Sequence, residues 1–265
     1  MTSVAATIQA ARRESRAALV GYLPAGFPTV PRSIELARAL VESGVDVVEI
    51  GLPYSDPVMD GPTIQAAARA ALAGGTRVSD VFGVVTAVAG HAPTLVMTYW
   101  NPVERYGVER FAADLSAAGG AGLVTPDLIP DEAEEWVVAA DAHDLDKVFL
   151  VAPSSTTERL RSTAAACRGF VYATAVMGVT GARPATSDAA PTLVARVREV
   201  TDLAVGVGLG VSDGRQAAEV ASYADAVIVG SAIIAEVQRA ASDVAALKAV
   251  SVLAEELARG VRGEL

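Results

Sequence analysis

Short apolar runs rich in β-branched residues alternate along the chain with longer Ala-rich segments whose charges fall on a helical period. Such alternation predicts repeated strand–helix units. Eight strands are expected, at Ala18 to Tyr22, Val45 to Gly51, Thr94 to Tyr99, Gly122 to Val124, Lys147 to Val151, Phe170 to Thr174, Leu203 to Gly208 and Ala226 to Gly230. Between them the spacing predicts helices over Pro31 to Glu42, Val108 to Ala118, Asp131 to Ala142, Glu158 to Ala166, Ala189 to Val200 and Ser212 to Ala221. Thr156 or Thr157, and Ser212, are expected to start two of these, because a hydroxyl at that position accepts a free backbone N–H. Three further helices exceed a minimal barrel: one near the amino terminus, one at Thr63 to Ala73 and one through Val250 to Arg259.

Strands that are apolar almost throughout belong in a parallel sheet covered on both faces, and eight of them favour closure. The expected fold is α/β, a (β/α)8 TIM barrel with extra helices, formed as one domain over residues 1–265. An open doubly wound sheet is the other arrangement compatible with the pattern. A length of 265 residues at 52% hydrophobic content suffices for one large core.

Charge removes some functions. With 31 acidic against 21 basic residues the net charge is -10, which repels nucleic acid and anionic membrane surfaces. No run of 18 apolar residues reads as a membrane span, and the first stretch lacks the features of a signal peptide. The one cysteine, Cys167, has no internal partner and is expected to be a small buried hydrophobe, which suits a reducing cytoplasmic setting.

In a barrel of this kind functional groups come from the loops that follow the strands. After the second strand the chain reads VEIGLPYSDPVMDGPTIQ, with Glu49 inside an apolar strand and Asp56 and Asp60 in the loop beyond. Two roles fit Glu49: a hydrogen-bonded tie for the loop, or a general acid/base whose proton affinity is raised by burial among Val47, Val48 and Ile50. Glycines cluster after the last three strands, in GVTGARP, GVGLGVSD and VGSAII. They serve tight turns, or a cradle in which backbone N–H groups and a helix amino terminus hold a phosphate. Ser231 either joins that cradle or caps its helix, and Arg183 either steers an anion or is a solvated loop charge. Tyr22, Tyr99 and Tyr172 near strand ends are core side chains or walls of a site.

Lys147 opens the fifth strand at the end opposite the expected site, and Lys248 lies in the terminal helical region, so Schiff-base chemistry is poorly placed. His91 and His143 both precede strands, and no metal-binding cluster is expected at the loop face. Carboxylates are left to carry the chemistry.

The segment EIGLPYSDPVMDGPTIQ, Glu49 to Gln65, resembles the signature of the tryptophan synthase alpha chain family. LPAGFP at Leu23 to Pro28, MTYWNP at Met97 to Pro102, PDLIPDE at Pro126 to Glu132, GVTG at Gly178 to Gly181, GLG at Gly208 to Gly210 and VGSAI at Val229 to Ile233 match it in order across nearly the whole chain. The resemblance implies retro-aldol cleavage of indole-3-glycerol phosphate to indole and glyceraldehyde 3-phosphate, with Glu49 the principal acid/base and Asp60 the second carboxylate. It implies that Tyr22 and Tyr99 flank the indole and Tyr172 meets the substrate. It also puts Gly181, Gly208, Gly210, Gly230 and Ser231 around the phosphate, and Thr180 in a lid over Val176 to Asp188.

It further implies an αββα heterotetramer with a beta subunit that holds pyridoxal phosphate, no cofactor in this chain, and a partner contact through Pro53, Asp56, Pro57 and Asn101. Met59, bulkier than the small aliphatic residue expected before the aspartate, departs from the pattern, and so does a lid without a basic residue between Val176 and Val179. The competing readings are another phosphate-binding barrel enzyme and a non-catalytic barrel that activates a beta partner. Among the former, indole-glycerol-phosphate synthase would need a lysine at a strand end.

Overall fold

Parallel pairing runs without a break around eight strands, β1 Ala18–Pro24, β2 Val47–Gly51, β3 Thr94–Met97, β4 Gly122–Thr125, β5 Asp146–Val151, β6 Phe170–Thr174, β7 Ala204–Gly208 and β8 Ala226–Val229, and β8 returns to β1. This computed structural model describes residues 3–174, 189–208 and 210–265. The sheet is closed, as the count of doubly covered apolar strands predicts, and the open doubly wound alternative does not apply.

Twelve α-helices surround it among the described residues: α1 Val4–Arg13, α2 Val30–Glu42, α3 Pro62–Ala73, α4 Val78–Val88, α5 Trp100–Tyr106, α6 Val108–Ala117, α7 Glu134–Ala142, α8 Thr157–Ala166, α9 Ala189–Arg198, α10 Gly214–Ala221, α11 Ser231–Arg239 and α12 Asp243–Arg262. Two of these, α4 and α5, were not expected as helices. The β3 segment stops short of its expected end: Thr98 N–H still bonds to Val124 O at 3.1 Å, but Tyr99 already sits at the N-cap of α5. The second strand starts at Val47 because Val45 N–H returns to Leu40 O in α2. The expected helix from Asp131 is divided into a 3-10 turn, Pro130–Glu132, and α7.

Of the two threonines, Thr156 caps α8, its side chain accepting from Arg159 N–H. Ser212 does not cap α10. Asp213 does, accepting Gln216 N–H at 2.8 Å, because the extended backbone falls one residue later and brings the stronger acceptor to the helix end.

Strand alternation sorts the core into two shells. Val48, Ile50, Leu123, Phe149, Val171, Val205 and Val227 face outward and pack beneath the helices. Val20, Val47, Leu95, Val124, Val148, Phe170 and Ile228 face inward and fill the barrel. Into the lower end of that inner cluster α1 sends Val4, Ile8 and Ala11, one face of a helix at i, i+4 and i+7. All three are fully buried, and burying a Val or Ile side chain contributes about 1.5–3 kcal/mol.

Aspartates paired with arginines fasten this lower rim. Asp46 accepts Leu19 N–H at 2.8 Å and both terminal nitrogens of Arg16 at 2.8 and 2.9 Å. Asp225 holds Val205 N–H, Arg12 and Arg198 at 2.8, 2.8 and 3.0 Å. Lys147 pairs with Asp141 here, at the end of the barrel away from the loops that follow the strands.

Candidate active site

The upper end of the barrel is built from residues that alternation turns inward. Along β2 these are Val47, Glu49 and Gly51, so Glu49 shares its face with one valine below and a glycine above. Val48 and Ile50, expected to surround the carboxyl, point to the outer shell instead. Glu49 is level with Tyr22 on β1 and Leu95 on β3. Its side chain is 2% exposed, and its Oε2 atom has no hydrogen-bond partner. Burial first, and the negative charge of Asp60 second, raise the Glu49 carboxyl to about 8.

Asp60 reaches the same mouth from the end of the β2–α3 loop, directly before the Gly61 that starts α3. Gln65 Nε2 ties its backbone carbonyl at 2.7 Å. The carboxylate is buried, with Oδ1 unpartnered. Burial raises it to about 6, and a hydrogen bond from Tyr99 works in the opposite direction. Among the described residues four buried side-chain polar atoms lack a partner, and two of them are the oxygens that meet here. An unsatisfied buried acceptor costs about 1–3 kcal/mol, and such groups are characteristic of catalytic positions rather than of a packed core.

The tyrosines frame these carboxyls. Tyr22 and Tyr172 are phenols whose ionisation is pushed well above the ordinary value by burial first, with the charges of Asp60 and Glu49 adding to it. Their rings run through space that three glycines leave open: a Cβ on Gly51 would lie 2.3 Å from the Tyr22 hydroxyl, one on Gly208 2.0 Å from that of Tyr172, and one on Gly230 2.8 Å from the Tyr22 ring. Gly208 and Gly230 thus have a packing duty beside any phosphate contact. Around Tyr22 an apolar wall gathers Phe27, Ile64 and Ile234, with Met97 against it. The sequence reading passed over these residues; only the inward phase of Met97 along β3 could have signalled one of them.

On the glycine side, Gly230 is the N-cap of α11 and no side chain caps that helix, so Ser231 is not its cap. The first-turn N–H groups of α11 therefore receive no acceptor from an N-cap side chain. Gly210 adopts φ +49°, a conformation that favours glycine. Thr180, Gly181 and Arg183, with the expected lid from Val176 to Asp188, lie outside the described residues.

Toward the outer rim, Asp56 and Asn101 are exposed, Pro57 is half-buried and Pro53 is buried. Asn101 Nδ2 donates to the Tyr54 hydroxyl at 2.9 Å, and the Tyr54 and Tyr99 rings lie 5.5 Å apart. Lys248 and His91 are exposed, and His143 bonds Glu109 at 2.7 Å. Cys167 is half-buried beside the Phe149 carbonyl, and burial pushes its thiol up to about 12.

A family model for the tryptophan synthase alpha chain matches residues 8–262. The chain belongs to that family. Tryptophan synthase alpha chains of Mycobacteroides abscessus and Nocardia farcinica are 63% and 62% identical to it, the first over 95% of this chain and 94% of the relative, the second over 98% and 96%. A solved Mycobacterium tuberculosis tryptophan synthase superposes with a TM-score of 0.93 at 55% identity, covering 99% of both chains. A Legionella pneumophila tryptophan synthase alpha subunit superposes at 0.87 and 30% identity, again over 99% of both. Members of the tryptophan synthase alpha chain family are lyase subunits of tryptophan biosynthesis that cleave indole-3-glycerol phosphate; pyridoxal phosphate belongs to the beta subunit of the complex. The (β/α)8 barrel with added helices accords with that membership.

Proposed function

We propose that this chain cleaves indole-3-glycerol phosphate to indole and D-glyceraldehyde 3-phosphate, with Glu49 and Asp60 as its acid/base pair. The observation that carries the reading is the pair itself: two buried carboxyls at one barrel mouth, each with an unpartnered oxygen, one raised to about 8 and the other to about 6. Near neutral pH such a pair holds a proton on Glu49 and a charge on Asp60, an acid and an anion side by side.

That division suits the chemistry. Indole C3 must accept a proton before the bond to the side-chain carbon can break, and protonated Glu49 supplies it. The cation so formed spreads onto the ring nitrogen, where ionised Asp60 accepts the N–H and stabilises the charge. The Glu49 carboxylate left behind then takes the proton of the side-chain hydroxyl. The C–O bond becomes the aldehyde, and the electrons of the breaking carbon–carbon bond restore the indole ring. Glu49 ends protonated as it began, so no external oxidant or base is consumed. Tyr22, Tyr99 and Tyr172 form the walls for the indole and side chain. Gly181, Gly208, Gly210, Gly230 and Ser231 receive the phosphate, the amino terminus of α11 adding its positive dipole end. Thr180, outside the described residues, is proposed as a further substrate contact.

A beta subunit completes an αββα assembly in this reading, docked over Pro53, Asp56, Pro57 and Asn101, and the cytoplasm is the proposed compartment. The test is direct: indole-3-glycerol phosphate is supplied with and without a beta subunit and indole is monitored. Indole release supports the lyase reading; its absence under both conditions rejects it.

A further inference from the structure

The Tyr99 hydroxyl serves two neighbours that are consecutive in sequence. It accepts the Met59 backbone N–H at 3.0 Å, and it favours the ionised form of the Asp60 carboxyl next in sequence. One phenol thus holds the backbone that carries the carboxylate and biases its charge state. Tyr99 is 2% exposed and stands where β3 gives way to α5, a junction set by the sheet rather than by the loop.

A second attachment lies farther out on the same loop. The Tyr54 ring packs on Tyr99 with centroids 5.5 Å apart and planes tilted by 34°, and the Tyr54 hydroxyl accepts from Asn101 Nδ2 at 2.9 Å. Asn101 is in the first turn of α5, two residues beyond Tyr99. The loop from Tyr54 to Asp60 is therefore strapped at both ends to one short stretch, Tyr99 to Asn101. Between the straps, Ser55, Asp56 and Val58 are exposed and Pro57 is half-buried, so little else restrains it. Such hydrogen bonds contribute modestly, more when the acceptor is charged, so loss of either strap changes how tightly the carboxylate is held.

We propose that Tyr99, braced by Tyr54 and Asn101, is a positioning residue that fixes the orientation and acidity of Asp60. Asn101 is exposed, so the brace runs from the outer surface of the molecule to the buried carboxylate. The inference rests on the reading of Asp60 as a participant in cleavage; it gives Tyr99 a role through Asp60 beside its place in the indole wall, and adds Tyr54 and Asn101 as residues whose effect is exerted through Asp60.

The experiment follows the side-chain carboxyl carbon of Asp60 by NMR across pH in the full chain, beside turnover of indole-3-glycerol phosphate. Tyr99→Phe deletes one oxygen and keeps the ring; the Asp60 midpoint is expected to rise above about 6, since the lost donor favoured the ionised form, and kcat to fall about tenfold. Tyr54→Phe and Asn101→Ala are each expected to move the midpoint in the same direction by less, and the double variant no further than the larger single one, because both remove the same bond. An Asp60 midpoint unchanged in Tyr99→Phe overturns the proposal, as does a double variant whose shifts add. Absence of indole from the wild type would instead overturn the lyase reading, while the titration still reports on the strap.

Discussion

The carboxyls of Glu49 and Asp60 share one buried mouth, and the charge of Asp60 is, after burial, the second cause of the high proton affinity of Glu49. The two groups therefore titrate as a pair. We expect kcat/KM to follow a bell, falling below about pH 6 as Asp60 gains a proton and above about pH 8 as Glu49 loses one. A rate profile flat from pH 5 to pH 9 would contradict the assignment of acid to Glu49 and anion to Asp60.

Removing the charge of Asp60 should lower the affinity of Glu49 for its proton. In Asp60→Asn, NMR titration of Glu49 is expected to give a midpoint below about 8, with burial alone keeping it above the ordinary 4.5. Turnover in the same variant should drop strongly while the thermal transition stays sharp, which separates loss of chemistry from loss of fold.

Glu49→Gln keeps shape and removes the proton that matters. Cleavage should fall by about two to four orders of magnitude with KM little changed. The substitution should also remove a pH dependence of stability that the wild type carries. The raised carboxyl of the wild type stabilises the folded chain fully below about pH 4.5, and that contribution is lost as pH rises through about 8. The glutamine variant escapes this loss, so above pH 8 it should be more stable than the wild type, by on the order of a few kcal/mol. Denaturant unfolding at pH 5 and pH 9 measures the difference; equal pH slopes in the two proteins would refute the buried, protonated state.

Gly208→Ala tests the space reserved for Tyr172. The new Cβ would lie 2.0 Å from the phenol oxygen, so the ring must move. We expect about 1–3 kcal/mol of destabilisation and a raised KM, with the pH bell unchanged. Pairing the change with Tyr172→Phe, which deletes the clashing oxygen, should recover part of the stability. No recovery would mean that Gly208 is needed for another reason.

Much of this was legible in the chain, and the reasons are specific. The eight strands were readable because all but the fourth, with three, are apolar over four or more residues, and Glu49 stood out as a charge inside one of them. Its true surroundings were not readable from proximity in sequence. Alternation sends Val48 and Ile50 outward, and closure of the barrel brings in Asp60 and the tyrosines. The start of α11 was misplaced by one residue because Gly230, which has no side chain to signal a cap, takes the position read as Ser231. Helix α5 was hidden because Thr98 and Tyr99 are β-branched and aromatic and read as more strand. The Tyr99–Met59 bond depends on a backbone N–H meeting a phenol 40 positions away, which no local pattern encodes.

The amino-terminal helix also imposes an itinerary. With Val4, Ile8 and Ala11 filling the lower end, the barrel is a cul-de-sac rather than a corridor. In the proposed reaction substrate and both products therefore share the upper doorway, since among the described residues α1 closes the lower end of the barrel. A subunit seated at that doorway stands on the way out for indole, and whichever fragment is nearer the opening governs when the other can leave.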